Sequence, residues 1–193
     1  MQNFILHTPT KILFGQDQIA GLAQQIPADA RILITYGGGS VKKNGVLDQV
    51  YAALAGRNVQ EFSGIEPNPT YETLMKAVEV VRAENIDFLL AVGGGSVVDG
   101  TKFIAAAAHY QADADPWHIL KTVGSEIKGA VPMGCVLTLP ATGSESNSGA
   151  VITRKSSGDK QHFFSPHVQP LFAVLDPVVT SVSYTHLTLP TKL

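Results

Sequence analysis

Twice in this chain a short apolar run stops at three consecutive glycines and a serine, and a helix-forming pattern follows at once. Arg31–Tyr36 (RILITY) leads into Gly37-Gly38-Gly39-Ser40, and Ile86–Val92 (IDFLLAV) leads into Gly93-Gly94-Gly95-Ser96. A run without polar alternation belongs to a strand covered on both faces, and such strands occur in parallel sheets joined by helical crossovers. The segments between the runs agree. Val46, Leu47, Val50, Ala53 and Leu54 recur at spacings of three and four, which predicts a helix over Val41–Leu54 closed by Gly56. Thr70 and Thr73 precede a second helical pattern on Leu74, Val78 and Val81 that runs to Glu84. Val59–Phe62, Met133–Leu139 and Leu171–Leu175 read as further strands. Strands alternating with helices at this spacing require right-handed crossovers, so the fold class is α/β, a mostly parallel sheet with helices on both faces. Gly149–Arg154 and Gln161–Phe164 flank Ser156-Ser157-Gly158-Asp159 and are expected to form a hairpin outside that sheet. Two extended pieces around Pro9, ending at Phe14-Gly15, are expected as an outlying strand pair.

Composition narrows the function classes. The 193 residues carry 14 Lys and Arg against 16 Asp and Glu, with no long run of either sign, so neither nucleic acid nor an anionic membrane surface is an expected partner. A single Cys135 excludes a disulfide framework and multi-Cys metal sites. The histidines at 7, 109, 118, 162, 167 and 186 never take the i, i+4 spacing that puts two ligands on one helix face. The apolar stretches are strand-sized and MQNFILHTPTK is no signal sequence, which makes the cytoplasm the expected compartment.

Beyond Thr180 the pattern changes. Val182–Leu187 can be encoded by a sequence resembling a transposon-end sequencing adaptor read in one frame, and Thr188–Thr191 continues it. Residues 1–180 are therefore expected to form one domain and residues 181–193 a non-native tail, excluded from fold reasoning.

The chemistry concentrates after the strands. A strand turning through Gly93-Gly94-Gly95-Ser96 into a helix presents free N–H groups and a positive helix end to an anion. The order is not G-x-G-x-x-G, so a plain tight turn fits the spacing equally well. Asp99 sits on the first turns of that helix, either as an N-terminal stabiliser or as a group facing the same crevice. A branched side chain at Gly95 is expected to block phosphate while leaving the fold intact, because Gly93 and Gly94 can still make the turn. Gly37–Ser40 repeats the arrangement, with Lys42 and Lys43 beyond it and no acid between Arg31 and Asn44. If this loop meets the adenosine ribose, the cofactor is NADP rather than NAD; a solvated basic turn is the plainer alternative. Thr138–Asn147 (TLPATGSESN) is dense in hydroxyl and amide groups just beyond a buried strand, and Gly143-Ser144-Glu145 is no nucleophile elbow. Trp117 reads as a packing residue at a helix start.

GGGSVVDGTKFIAA, TLPATGSE and Phe14-Gly15 closely resemble the amino-terminal half of the iron-containing alcohol dehydrogenases. TYGGGSVKKNGVLDQV, GIEPNPTYETL and DPWHIL narrow the resemblance to NADPH-dependent aldehyde reductases and butanol-dehydrogenase-like members. The resemblance implies a Rossmann-like cofactor domain, and a carboxyl-terminal helical domain, holding a divalent metal (iron or zinc), that is absent from these residues. It implies NADP(H) as cofactor, a small aldehyde or alcohol as substrate, a homodimer at full length and no catalytic or metal-ligating residue in this stretch. It implies that Gly38 and Ser40 meet the adenosine ribose phosphate, Asn68 the adenosine end, and Gly94, Gly95 and Ser96 the pyrophosphate. Asp99 then lies toward the nicotinamide, Thr138, Thr142 and Asn147 line the phosphates and nicotinamide, and Lys160 reaches the nicotinamide ribose. An isolated copy of these residues is expected to show no turnover and to fold poorly, because its crevice face is built to pack against the absent helices. A nucleotide-binding module without chemistry, or a glycerol dehydrogenase-like or dehydroquinate synthase-like enzyme, is the alternative.

Overall fold

The structure, a computed structural model, describes residues 7–111 and 114–181. Its frame is a six-stranded sheet in the order β1 (Lys11–Phe14), β8 (Phe172–Leu175), β5 (Met133–Leu139), β4 (Phe88–Gly94), β2 (Arg31–Tyr36) and β3 (Asn58–Phe62). Every neighbouring pair in that sheet is parallel. The helices are α1 (Ser40–Lys43), α2 (Val46–Ala53), α3 (Tyr71–Ala83), α4 (Gly95–His109), α5 (His118–Lys121) and α6 (Pro177–Ser181). None among the described residues is long and apolar enough to cross a membrane.

Strand side chains alternate between two cores. Leu33, Leu89, Ala91, Met133, Cys135 and Ala173 join α3 and α4 on one face. Ile32, Ile34, Phe88, Leu90, Val92, Val136, Phe172 and Val174 join α2 and the 3₁₀ segment Gln18–Gln24 on the other. Burial on both faces is why these strands lack polar alternation. At Gly134 the sheet gives up a side chain altogether: a Cβ there would lie 2.3 Å from Phe172 Cζ, whose ring stacks on Phe88 at 6.1 Å.

The antiparallel hairpin forms as expected, from β6 (Gly149–Arg154) and β7 (Asp159–Phe164). It is fastened to α3. Glu72 accepts from the Lys155 and Ser156 amides, and Arg154 lies over the Tyr71 and Trp117 rings while bonding Asp115 at 3.3 Å. Trp117 is buried at the start of α5, a packing residue.

Other expectations need correction. The helix over Val41–Leu54 is broken in two, because Gly45 takes φ +76° and the Asn44 carboxamide caps the Val46 amide. β4 begins at Phe88 rather than Ile86, since the Ile86 amide still bonds Val81 O at the end of α3, and it runs on through Gly93 and Gly94. Of the expected amino-terminal strand pair, the described piece is the edge strand β1, which pairs with β8. The earlier extended piece, over residues 1–6, lies outside the described residues, and so does the tail 182–193.

Candidate functional site

Strand order reverses between β2 and β4: the chain passes from β2 outward to β3, then back across β2 to β4. In an open parallel sheet the crevice lies beyond the carboxyl ends at such a reversal. Both glycine triplets are there. The first connects β2 to α1, with Gly39 at φ +100°. In the second, Gly93 and Gly94 are still paired with β5, and Gly95 is the first residue of α4.

Three clefts follow this edge. One of about 300 Å³ is lined by Tyr36, Gly37, Gly38, Gly39, Lys42, Ser63 and Gly64. Ser40, Lys43, Asn44, Gly94, Thr138, Leu139 and Val179 line a second of about 380 Å³. A third, of about 290 Å³, lies between α4 and the hairpin, where Asp99, Thr142, Ser144, Asn147 and His162 reach it. A larger cleft, of about 480 Å³ around His109, Tyr110 and Glu126, opens at the opposite end of α4, away from the strand carboxyl ends.

The sequence-derived candidates converge on this edge. Gly38 is exposed, with nothing within 4 Å of where a Cβ would stand. Ser40, Gly94 and Thr138 share the second cleft. Asn68, at φ +55°, donates its amide to Ser96 Oγ at 3.4 Å and accepts from Lys160 Nζ at 2.7 Å, so the hairpin, the Pro67–Pro69 turn and the start of α4 meet at one point. Gly95 is placed differently from expectation. It is buried, and a Cβ on it would stand 2.4 Å from Thr142 Oγ1. Thr142 Oγ1 in turn accepts from the Ser144 amide at 3.2 Å.

The third cleft carries the sharpest electrostatics. Asp99 Oδ2 accepts from the Val151 amide at 3.0 Å, while its buried Oδ1 has no hydrogen-bond partner. Burial pushes the Asp99 carboxyl above its ordinary pKa, against the opposing pull of the neighbouring Ser144 hydroxyl, the Val151 amide and the Lys102 charge. Lys102 is fully buried and donates to Asn147 Oδ1 at 2.9 Å and to Gly149 O at 2.8 Å. Burial lowers its pKa from 10.5 to about 8. A lysine can only donate, so its contact fixes the Asn147 amide: Oδ1 faces Lys102 and the Gly149 amide, and Nδ2 is left as a donor. A half-buried carboxylate and an oriented amide donor thus stand beside one cleft.

Two residues escaped the sequence reading. Lys102 had a signal, one cation in an otherwise small and apolar helix, GSVVDGTKFIAAAAH. Glu61 had none. It stands on β3, away from the first glycine loop in sequence, yet its carboxylate pairs with Lys42 at 3.1 Å. No acid occurs between Arg31 and Asn44 along the chain, yet in space Glu61 stands beside Lys42.

An open, wholly parallel α/β sheet with glycine turns at its reversal point is a Rossmann-like, doubly wound fold. The family model for iron-containing alcohol dehydrogenases matches residues 9–177, and the chain belongs to that family. It is 74% identical over 180 residues to the NADPH-dependent aldehyde reductase YqhD of Escherichia coli K12, across 93% of this chain and 46% of the relative. It is 41% identical over 183 residues to NADH-dependent butanol dehydrogenase A of Clostridium acetobutylicum, across 93% and 46%. A crystal structure of E. coli K-12 YqhD superposes with a TM-score of 0.91 at 74% identity, covering 92% of this chain and 46% of that one. The chain spans about half the length of the curated relatives it matches.

Proposed function

We propose that this chain is the NADP(H)-binding half of a metal-dependent aldehyde reductase or alcohol dehydrogenase, interconverting a small aldehyde and its alcohol. The observation that carries the reading is that the Asp99 carboxylate and the Asn147 amide, its orientation fixed by Lys102, line one cleft. A primary carboxamide has the complementary groups, an N–H for Asp99 and a carbonyl oxygen for Asn147. The nicotinamide ring carries such a group. Gly94, Ser40 and Thr138 line the second cleft, read as the phosphate end, and Ser96 and Lys160 meet at Asn68 on the other side. Gly38 leaves room for a 2′-phosphate. When bound, the reduced cofactor supplies a hydride to the aldehyde carbon.

The metal does not fit here. Among the described residues no group of three or more His, Cys, Asp or Glu side chains could hold an ion. The chain by itself is read as binding cofactor without turnover, with residues 1–180 as the nucleotide-binding domain. The whole protein is read as a cytoplasmic homodimer; in support of pairing, the edge strand β1 exposes Ile12 and Phe14. Titration of NADPH into the chain, with NADPH oxidation followed in the presence of butanal and a divalent metal, tests both statements. Binding without turnover is expected. No binding refutes the cofactor site, and robust metal-dependent oxidation refutes the division of labour.

A further inference from the structure

At the mouth of the first cleft one cation and one anion neutralise each other. Lys42 Nζ lies 3.1 Å from Glu61 Oε1 and 5.1 Å from the centre of the Tyr36 ring. Glu61 Oε2 accepts from the Tyr51 hydroxyl at 3.0 Å. Lys42 lines the cleft beside Gly38, whereas Glu61 holds it from the neighbouring strand. Both side chains are about half exposed, at 51% and 40%, so neither is locked by packing. Burial works against the Glu61 charge, but hydrogen bonds from Lys42, Tyr36 and Tyr51 hold its carboxyl below the ordinary range.

We propose that the Lys42–Glu61 pair sets the choice between the 2′-phosphorylated and the unphosphorylated cofactor, with Lys42 as the phosphate's cation and Glu61 as its restraint. The inference rests on the reading of this cleft as the adenosine ribose site. A phosphate entering beside Gly38 competes with Glu61 for Lys42. Tyr51 then keeps one Glu61 oxygen hydrogen-bonded, so the carboxylate is not stranded when the lysine turns away. A ribose bearing only a 2′-hydroxyl leaves the ion pair intact and gains nothing from the lysine. The balanced pair therefore gives a moderate preference where an unpaired lysine would give a strong one.

The test is the ratio of NADPH to NADH affinity, measured by calorimetry at low ionic strength on the parent chain, Lys42→Gln and Glu61→Gln, with circular dichroism checking that each is folded. Lys42→Gln is expected to lower the ratio about tenfold, the scale of one charge-assisted hydrogen bond discounted for exposure. Glu61→Gln is expected to raise it about threefold, since only the competitor is removed. The two cofactors differ by a single phosphate, so a general loss of folding moves both affinities and not their ratio. A parent that prefers NADPH, with both variants keeping its ratio, overturns this inference and leaves the cofactor site standing. A parent that binds neither cofactor overturns both.

Discussion

Lys102→Met separates the electrostatic state of the third cleft from its shape. The methionine fills similar volume but cannot donate to Asn147 Oδ1 or Gly149 O, and it carries no charge. The resulting stability change at one pH mixes lost hydrogen bonds with relief of desolvation, and its sign depends on both. Its change with pH isolates the charge. The lysine titrates at 10.5 in the unfolded chain and at about 8 in the fold, so between those values the unfolded state holds more protons. Stability must then rise with pH across that window. Near pH 7 the protonated lysine costs the fold about 3 kcal/mol, and about 2 kcal/mol of that is recovered by pH 9.5. The Tyr71 phenol, pushed upward by burial and by Asp115, is common to both chains and cancels in the difference. Urea unfolding of parent and variant at pH 7 and pH 9.5 gives the four values needed. The parent is expected to gain about 2 kcal/mol on the variant over that interval. A gap that stays constant to within about 0.5 kcal/mol would show that Lys102 is not a desolvated cation, and the argument for a fixed Asn147 amide would lose its support.

Gly38→Asp should leave the melting temperature unchanged, since nothing lies within 4 Å of the new Cβ, while like-charge repulsion lowers NADPH affinity far more than NADH affinity; calorimetry with both cofactors checks it. Gly134→Ala should destabilise the fold by about 2–3 kcal/mol, because its Cβ meets the buried Phe172 ring. A fall in Tm of roughly 5–10 °C is the readout. Gly95→Val should lose both NADPH affinity and about 1–2 kcal/mol of stability, since its Cβ displaces the Thr142 hydroxyl from the Ser144 amide; an unchanged Tm would contradict the packing.

The parallel sheet was legible because its cause is local to each strand. A strand buried on both faces has to be apolar throughout, and RILITY and MGCVLTL are apolar for that reason. Boundaries were less legible where backbone bonds to distant residues decide them. Ile86 belongs to the end of α3 through its bond to Val81 O, although its side chain continues the apolar run. Gly45 divides a helical pattern whose apolar spacing is unbroken, because that spacing reports which face is buried and says nothing of φ.

Within the site, legibility followed the direction of the contacts. The placement of Gly38 and Gly94 at the clefts was legible from the turns alone. Groups acting through a partner on another element were not. Gly95 looked like a residue kept small for an incoming phosphate, yet the atom nearest its missing Cβ belongs to Thr142, a residue of this same chain. Glu61 reaches the glycine loop only because β3 lies in register beside β2, with Thr35 opposite Phe62. The charge at the mouth of the first cleft is therefore a property of strand pairing. A search for acids along the loop finds the lysine and misses its partner, which is why the first cleft reads as basic in sequence and as balanced in space.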